Sequence, residues 1–379
     1  MEDRRSILLV LLCGTVYLKK RGRLKTDLAS LVVDNKKERH VMSFKTLLAL
    51  ALAGSISAGA LAQQSVESFY SGKTVQMIVG YSAGGGYDLY ARTLARHIGK
   101  HIPGNPNVVV RNVPGAGSLV AMNQIANTLP QDGTIIGTVG RGMAFEPLFG
   151  NEQAQFDPTE MNWLGSLNNE TSICAAWHTT GIETWQDLRE MTLNVGGTGA
   201  GADTDLFPRV LAEILGLRLN VISGYPGGSD VLLAMERGEV GGRCGWSWSS
   251  AKSNHPEWFE EGGNVNLLLQ MSLEKHPELP DTPLVTEVAE NEFQEQVLNL
   301  LFARQVMGRP FVAPPNVPAD RLAALREAFR ATTQDEAFIR DIENQNLELT
   351  PVFGERIQNI IRDTRQYPRE VIDAIADLG

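Results

Sequence analysis

The sequence is short of several things. It has three cysteines in 379 residues, too few for a disulfide-stapled scaffold, and no CxxC pair that would point to zinc or a redox centre. Six histidines and no HExxH motif leave little for a metalloenzyme. Positive charge is scarce too: 34 Lys and Arg stand against 44 Asp and Glu, a formal net charge of −10. That balance argues against nucleic acid or an anionic membrane surface as partner. No apolar run reaches the ~20 residues that a membrane-spanning helix needs.

The apolar runs that are present lie near the front. Met42-Ser43-Phe44-Lys45 opens a segment with one positive charge, 47–60 is a mostly apolar run of small residues, and Ala60-Leu61-Ala62 is an A-x-A site before Gln63. This reads as a secretory signal peptide over 42–62, cleaved near Ala62, and predicts a periplasmic protein. Ahead of it, residues 1–41 hold a second apolar run, 7–18, between Arg4-Arg5 and Lys19-Lys20-Arg21. Cys13 in that run could mark a lipidated anchor. The run is short for a span, however, and Leu11-Leu12 is not the small-residue context of a lipid-modified Cys, so 1–41 is read as an extension ahead of a start at Met42. The first 62 residues hold 11 of the basic and 5 of the acidic side chains, leaving 23 against 39 and a net charge of −16 for the exported part. An anionic ligand would therefore have to be held by local amides and helix dipoles rather than by long-range attraction. Cys174 and Cys244 also remain. An oxidising compartment permits a bridge, but two buried free thiols are expected.

The chain is organised around 74–98, TVQMIVGYSAGGGYDLYARTLARHI. Val75, Met77, Ile78 and Val79 form an apolar run without alternation, as in a strand covered on both faces of a parallel sheet. Gly84, Gly85 and Gly86 let the backbone turn and approach a ligand closely. Tyr87, Tyr90, Leu94 and Ile98 follow at helical spacing. A helix opening on bare N–H groups is suited to an anion. The pattern restarts in the second half, with a strand at 192–195, the glycine loop 196–203 and a helix ended by Gly216. Between the two halves, short apolar runs at 162–167 and 172–177 flank a polar break and predict a crossing between domains. Strands and helices alternate with short connections, which predicts an α/β protein with parallel sheets. The C-terminal part reads as helical over 319–331, 335–344 and 355–376, with Pro318 in the first turn of one helix and Pro368 interrupting the last.

Several constellations compete for a chemical role. Gly80-Tyr81-Ser82-Ala83-Gly84 matches G-x-S-x-G between a strand and a helix, so Ser82 is a candidate nucleophile. It follows the first strand of the exported chain, lacks an HGGG-type oxyanion segment, and finds no well-placed partner in His255 or His276, so a loop role is preferred. The glycine clusters fit neither a P-loop nor G-x-G-x-x-G. His97 and His101 have metal-ligand spacing, but Gly99 between them and Pro103 after them place them at a helix C-terminus facing its dipole. Asp88 and Asp203 near helix starts are expected to cap or to complement the dipole rather than to touch a ligand. Arg141, after the third strand, is the cation best placed for a second carboxylate. Tyr225 and the pair Trp246 and Trp248 around Ser247 can supply aromatic walls to a cleft. No metal or cofactor site is expected.

In order along the chain, FYSGKTVQMIVGYSAGGGYDLYARTLARHI, VVVRNVPGAGSLVAMNQIA, LPQDGTIIGT, VGGTGAGADTDLFPRVLAEILGLRLNVISGYPGGSDVLLAMERGEV, PDTPLVTEV and FVAPPNVPADRLAALREAF resemble the substrate-binding receptors of tripartite tricarboxylate transporters, the Bug family. The resemblance runs from Phe69 to near the C-terminus. It implies a type II periplasmic binding fold of two α/β domains with a ligand cleft between them. The expected domains are 63–167 with 304–379, and 168–303. It also implies a carboxylate held by loop amides and ordered waters, here at Tyr81, Ser82, Ala83, Gly84, Gly85 and Gly86 and at Thr198, Gly199, Ala200, Gly201 and Ala202. A small carboxylate (a di- or tricarboxylate, an aromatic acid or an amino acid) and membrane permease subunits are the implied partners, the receptor itself being a monomer and not an enzyme. The chain departs from the family pattern at Gly241, where an acidic residue is usual after Gly-Glu-Val, and in RCGWSWSS at 243–250, a segment that should line the cleft. Two rival functions are a ligand sensor serving a two-component kinase and a serine hydrolase using Ser82.

Overall fold

The computed structural model describes residues 65–378, together with two short strands, Val10–Leu12 and Thr15–Tyr17, that pair antiparallel. The chain divides into two compact units, Met1–Gln63 and Gln64–Gly379. The expected signal segment at 42–62 and its cleavage site lie outside the described residues, as does most of the 1–41 extension. Among the described residues, no helix is long and apolar enough to cross a membrane.

After a short helix α1 (Val66–Tyr70), strand and helix alternate through β1 (Thr74–Val79), α2 (Gly86–Ile98), β2 (Asn107–Asn112), α3 (Leu119–Asn127) and β3 (Ile135–Thr138). β1 pairs in parallel with both β2 and β3. Val75, Met77, Ile78 and Val79 are all buried, as an apolar run without alternation requires. α2 buries Tyr90, Leu94 and Ile98 along the face that the spacing predicts. β4 (Asn162–Ser166) then leads across to β5 (Ser172–Trp177). Beyond it come β6 (Leu193–Gly196), α4 (Asp203–Leu215), β7 (Leu219–Ile222), α5 (Gly228–Glu236), β8 (Gly242–Ser247), α6 (Trp248–Asn254) and β9 (Val265–Met271). Gly216 ends α4 at φ 66°, a left-handed position where glycine carries no steric penalty. The chain returns through α7 (Glu292–Phe302) and β10 (Pro310–Ala313), and closes with α8 (Ala319–Thr333), α9 (Glu336–Asn344), β11 (Val352–Phe353), α10 (Gly354–Thr364) and α11 (Arg369–Ala376). Pro318 caps α8 from just outside instead of standing in its first turn.

The result is two separate sheets. One has the order β11-β4-β10-β3-β1-β2 and the other β9-β5-β8-β6-β7. The first sheet takes strands from both ends of the unit and the second takes only the middle, so the backbone crosses between them twice. The expectation of parallel sheets needs correction: both are mixed. β10 runs antiparallel to β3 and β4, and β5 runs antiparallel to β8 and β9. A strand that enters a sheet on a crossing connection comes from the other layer and is not bound by the βαβ handedness that keeps β1, β2 and β3 parallel.

The free-thiol expectation is also corrected. Cys174 of β5 and Cys244 of β8 are register partners across an antiparallel pair and are joined as a disulfide. The bridge closes a loop of 70 residues and ties together the two strands that carry Ser172 and Ser247 to the cleft.

Candidate functional site

The cleft between the sheets is reached first by glycine loops. Gly84 takes φ 86°, a conformation that L side chains rarely adopt. A Cβ at Gly86 would run into Ser250 and the Arg309 guanidinium, so α2 can start at the cleft wall only with glycine there. The loop is pinned by its own helix: the Gly84 N–H donates to Asp88 at 2.9 Å, and Asp88 also accepts from Arg92 at 2.8 Å and Asn112 at 2.8 Å. Burial opposes ionisation of Asp88, but these donors outweigh it and hold its pKa below the ordinary carboxylate range. Asp88 is thus structural, as expected. The second loop is built in a similar way. Asp205 accepts from the Gly199 N–H at 2.8 Å, and Thr204 accepts from the Thr198 N–H at 3.1 Å.

These internal bonds leave the first-turn amides as the donors for an anion. The N-cap positions of α2, α4 and α5 are Gly85, Ala202 and Gly227, and none makes a side-chain capping bond. The first turn of each helix lines one partly enclosed cavity of about 50 Å³, through Gly86 and Tyr87, through Asp203 and Thr204, and through Gly228. Three positive dipole ends therefore converge on one small space.

Of the residues expected in the site, Tyr81, Gly85, Gly86, Arg141, Thr198, Ala202 and Ser247 line this cavity. The others lie beside it. Ser82 donates to Asp230 at 2.6 Å, its N–H donates to the Pro226 carbonyl at 3.2 Å, and Ala83 accepts from Ser229, so this stretch of the first loop touches the start of α5. Gly84 sits at an outer groove with Ser229. Ala200 and Gly201 line separate recesses behind the second loop, and Gly199 packs on the backbone of Ala116 and Gly117. Tyr225 packs near Gly196, away from the cavity wall. Trp246 is fully buried against Trp258 and Phe259 in the core behind β8. A register shift at Gly245, with φ 73°, accounts for its position: Cys244 faces Cys174 but Trp246 faces Ile173, the next residue along β5, so the bulge turns Trp246 to the opposite face of the sheet from Cys244.

The charged wall is richer than the sequence suggested. Arg141 is 2% exposed and four of its five N–H groups have acceptors: Nε pairs with Asp203, Nη2 donates to Ser172 at 2.7 Å and Ser247 at 3.4 Å, and Nη1 to the Gly308 carbonyl at 3.4 Å. Burial works against its charge, but Asp203 outweighs burial and raises its pKa. Asp203 is therefore an ion-pairing residue and not a capping one. It also faces Arg304 at 3.5 Å, and Arg304 is packed among the rings of Phe145, Phe149 and Phe207. Arg309 pairs with Glu170 at 3.1 Å, donates to Ser247, Ser249 and Ser250, and lies over Tyr87 and Tyr90. Arg243, on β8, also lines the cavity. Asp203, Thr204 and Arg309 were not named as site residues from the sequence; Arg243 and Ser250 belong to the run 243–250 that was expected to line the cleft, though neither was singled out.

None of the described histidines lines this cavity. His97, in the last turn of α2, pairs with Asp341 at 2.9 Å, and His101, just beyond that helix, pairs with Asp335 at 2.8 Å. The one His-containing cluster with metal-ligand spacing among the described residues, His276 with Glu278 and Glu348, has the Lys252 ammonium bonded to both carboxylates.

Residues 90–376 match the family described as "Tripartite tricarboxylate transporter family receptor". A UPF0065 protein of Bordetella pertussis is 23% identical over 313 residues, covering 81% of this chain and 90% of that protein. Among solved structures, the periplasmic binding protein BugD superposes with a TM-score of 0.66 at 20% identity, over 82% of this chain and 99% of BugD. Malate-bound MatC from Rhodopseudomonas palustris superposes with a TM-score of 0.63 at 16% identity, over 80% and 99%. The two-sheet architecture is that of two-domain periplasmic binding proteins, and the chain belongs to the tripartite tricarboxylate transporter receptor family.

Proposed function

We propose that the protein is a non-catalytic periplasmic receptor that captures a small carboxylate and hands it to the membrane permease subunits of a tripartite transporter. The observation that carries this reading is the convergence of three uncapped helix N-termini on one partly enclosed cavity. Such a site favours an anion without needing net positive charge, which suits an acidic protein. The family membership supports the transporter partner. MatC, of the same fold, holds malate, which supports a carboxylate as ligand. The segment 42–62 would direct export. The lobes would be 63–167 with 304–379, and 168–303, acting as a monomer that closes when the ligand adds contacts to both. The hydrolase reading is disfavoured because Ser82 gives its hydroxyl hydrogen to Asp230 and no histidine, among the described residues, is bonded to it. An Asp on Ser without an intervening base does not make a nucleophile at neutral pH.

The test is a thermal-shift screen of the purified protein, before and after denaturation and refolding to strip retained ligand. The panel holds mono-, di- and tricarboxylates and aromatic acids. A micromolar ligand at millimolar concentration adds about 4 kcal/mol to stability, by RT ln(1 + [L]/Kd). A shift confined to one class of acid is expected; no shift from any acid after refolding counts against the receptor reading.

A further inference from the structure

Four arginines crowd the cleft, and three have carboxylate partners. Arg141 and Arg304 share Asp203, and Arg309 has Glu170. Arg243 has none among the described residues. Its one hydrogen bond is from Nη1 to the Gly228 carbonyl at 3.2 Å, and its Nε is shielded from solvent without an acceptor. The guanidinium carbon sits 5.5 Å from the Trp246 ring, so the planar group is backed by a flat apolar wall. Burial pushes the Arg243 pKa down to about 9; Tyr81 works against that fall, and Arg309 and Arg141 add to it. Arg141, Arg243 and Arg309 line the cavity, against Asp203 on its wall and Glu170 behind Arg309, which leaves one positive charge uncompensated. The side chain is part-buried, and with its Nε shielded and unbonded the charge is only partly solvated until an anion arrives to meet it.

We infer that Arg243 is the specificity-determining cation of this receptor: it pairs with a carboxylate group of the bound ligand beside the N-terminus of α5. The inference rests on the receptor reading and refines it. Arg141, the cation favoured by sequence position, has one N–H group left without an acceptor, whereas Arg243 has four. The planar fork and the flat Trp246 backing suit a planar, bidentate carboxylate. The small cavity suits a compact acid. Neutral analogues of the same shape are rejected, because they leave the guanidinium unpaired.

The experiment compares the full chain with R243K and R243Q, using malonate, succinate, L-malate and the corresponding neutral diamides as probes. Affinities are read by calorimetry, and unfolding temperature is read in acid-free buffer. Wild type is expected to bind at least one acid and no diamide. R243Q loses about 100-fold in affinity and R243K loses less, because the ammonium keeps the charge but not the fork. In acid-free buffer R243Q unfolds at a higher temperature than wild type, since it removes a charge with no partner. Equal acid binding by wild type and R243Q overturns the inference and leaves the receptor reading standing. If wild type binds none of the acids, the receptor reading is in difficulty and the acid-free comparison decides on Arg243. R243Q that is less stable than wild type, or that does not fold while R243K does, shows an internal partner for Arg243 and overturns the inference in every case.

Discussion

Removing the Asp203 carboxylate is the sharpest probe of how the cleft is held together. Asp203 is the sole carboxylate in contact with both Arg141 and Arg304 among the described residues, and those two are 2% and 1% exposed. D203A would leave two buried guanidinium groups facing each other. Breaking a buried ion pair from one side costs about 3–5 kcal/mol. Arg304 would retain Glu146 as a more distant charge and the rings around it, while Arg141 would fall back on neutral hydroxyls, so about 4 kcal/mol is the expected loss. The 314 described residues of the unit 65–378, at ~2.1 cal/mol/K each, give an unfolding entropy of roughly 0.7 kcal/mol/K, and the melting temperature should fall by about 6 °C. D203N keeps the shape and removes only the charge, so it should lose nearly as much. Added acetate supplies the missing carboxylate. At ten times its dissociation constant it should return about 1.4 kcal/mol, or roughly 2 °C, to D203A beyond any effect on wild type. The assay is differential scanning calorimetry across an acetate series. A D203N variant as stable as wild type, or an acetate response no larger in D203A than in wild type, would refute the ion-pair account.

Three further outcomes follow from the same geometry. Ser82→Ala removes a bond that joins the first loop to α5, and should weaken ligand binding by about 1–2 kcal/mol without abolishing it, while wild type should resist labelling by a fluorophosphonate; stoichiometric labelling at Ser82 would revive the hydrolase. Replacing both Cys174 and Cys244 by Ala opens a 70-residue loop and should lower stability by about 2–4 kcal/mol, read by urea unfolding; no change would mean that the bridge adds nothing. At Glu348, burial opposes the charge, but His276 and Lys252 from the other side of the cleft outweigh it and lower its pKa. Its stabilising contribution is therefore full above the ordinary carboxylate value of about 4.3 and is lost as the pH falls through the lowered one. E348Q should flatten the acid end of the stability profile, below about pH 4.3, and an unchanged profile would show that the ion pairs of Glu348 with Lys252 and His276 add nothing to stability.

What could be read from the sequence was what local chemistry fixes. The apolar run at Val75–Val79, the glycines that follow it and the spacing of Tyr90, Leu94 and Ile98 each act over a few residues, and both glycine loops appear where that pattern places them. What could not be read was every feature set by partners far apart in the chain. Arg141 meets Asp203 62 residues away, and Arg309 meets Glu170 from the other side of a crossing. Cys174 and Cys244 are bridged only because β5 and β8 run antiparallel in one particular register, which spacing does not reveal. A two-residue edge strand, β11, is too short to carry any period. The misplacement of Trp246 is the most instructive of these. Alternation along a strand assigns Cys244 and Trp246 to the same face, but the bulge at Gly245 inserts one residue and reverses the assignment. That single residue sends an aromatic ring into the core, and the ring then backs the Arg243 guanidinium from behind. The same glycine therefore explains why an expected site residue is absent from the cavity and why Arg243, which stands in it, has an aromatic ring behind it. Arg141 and Arg243 are the same residue type lining the same cavity, yet only the pairing around each tells which has donors left for a ligand. That pairing depends on two sheets meeting, and no window of sequence contains it.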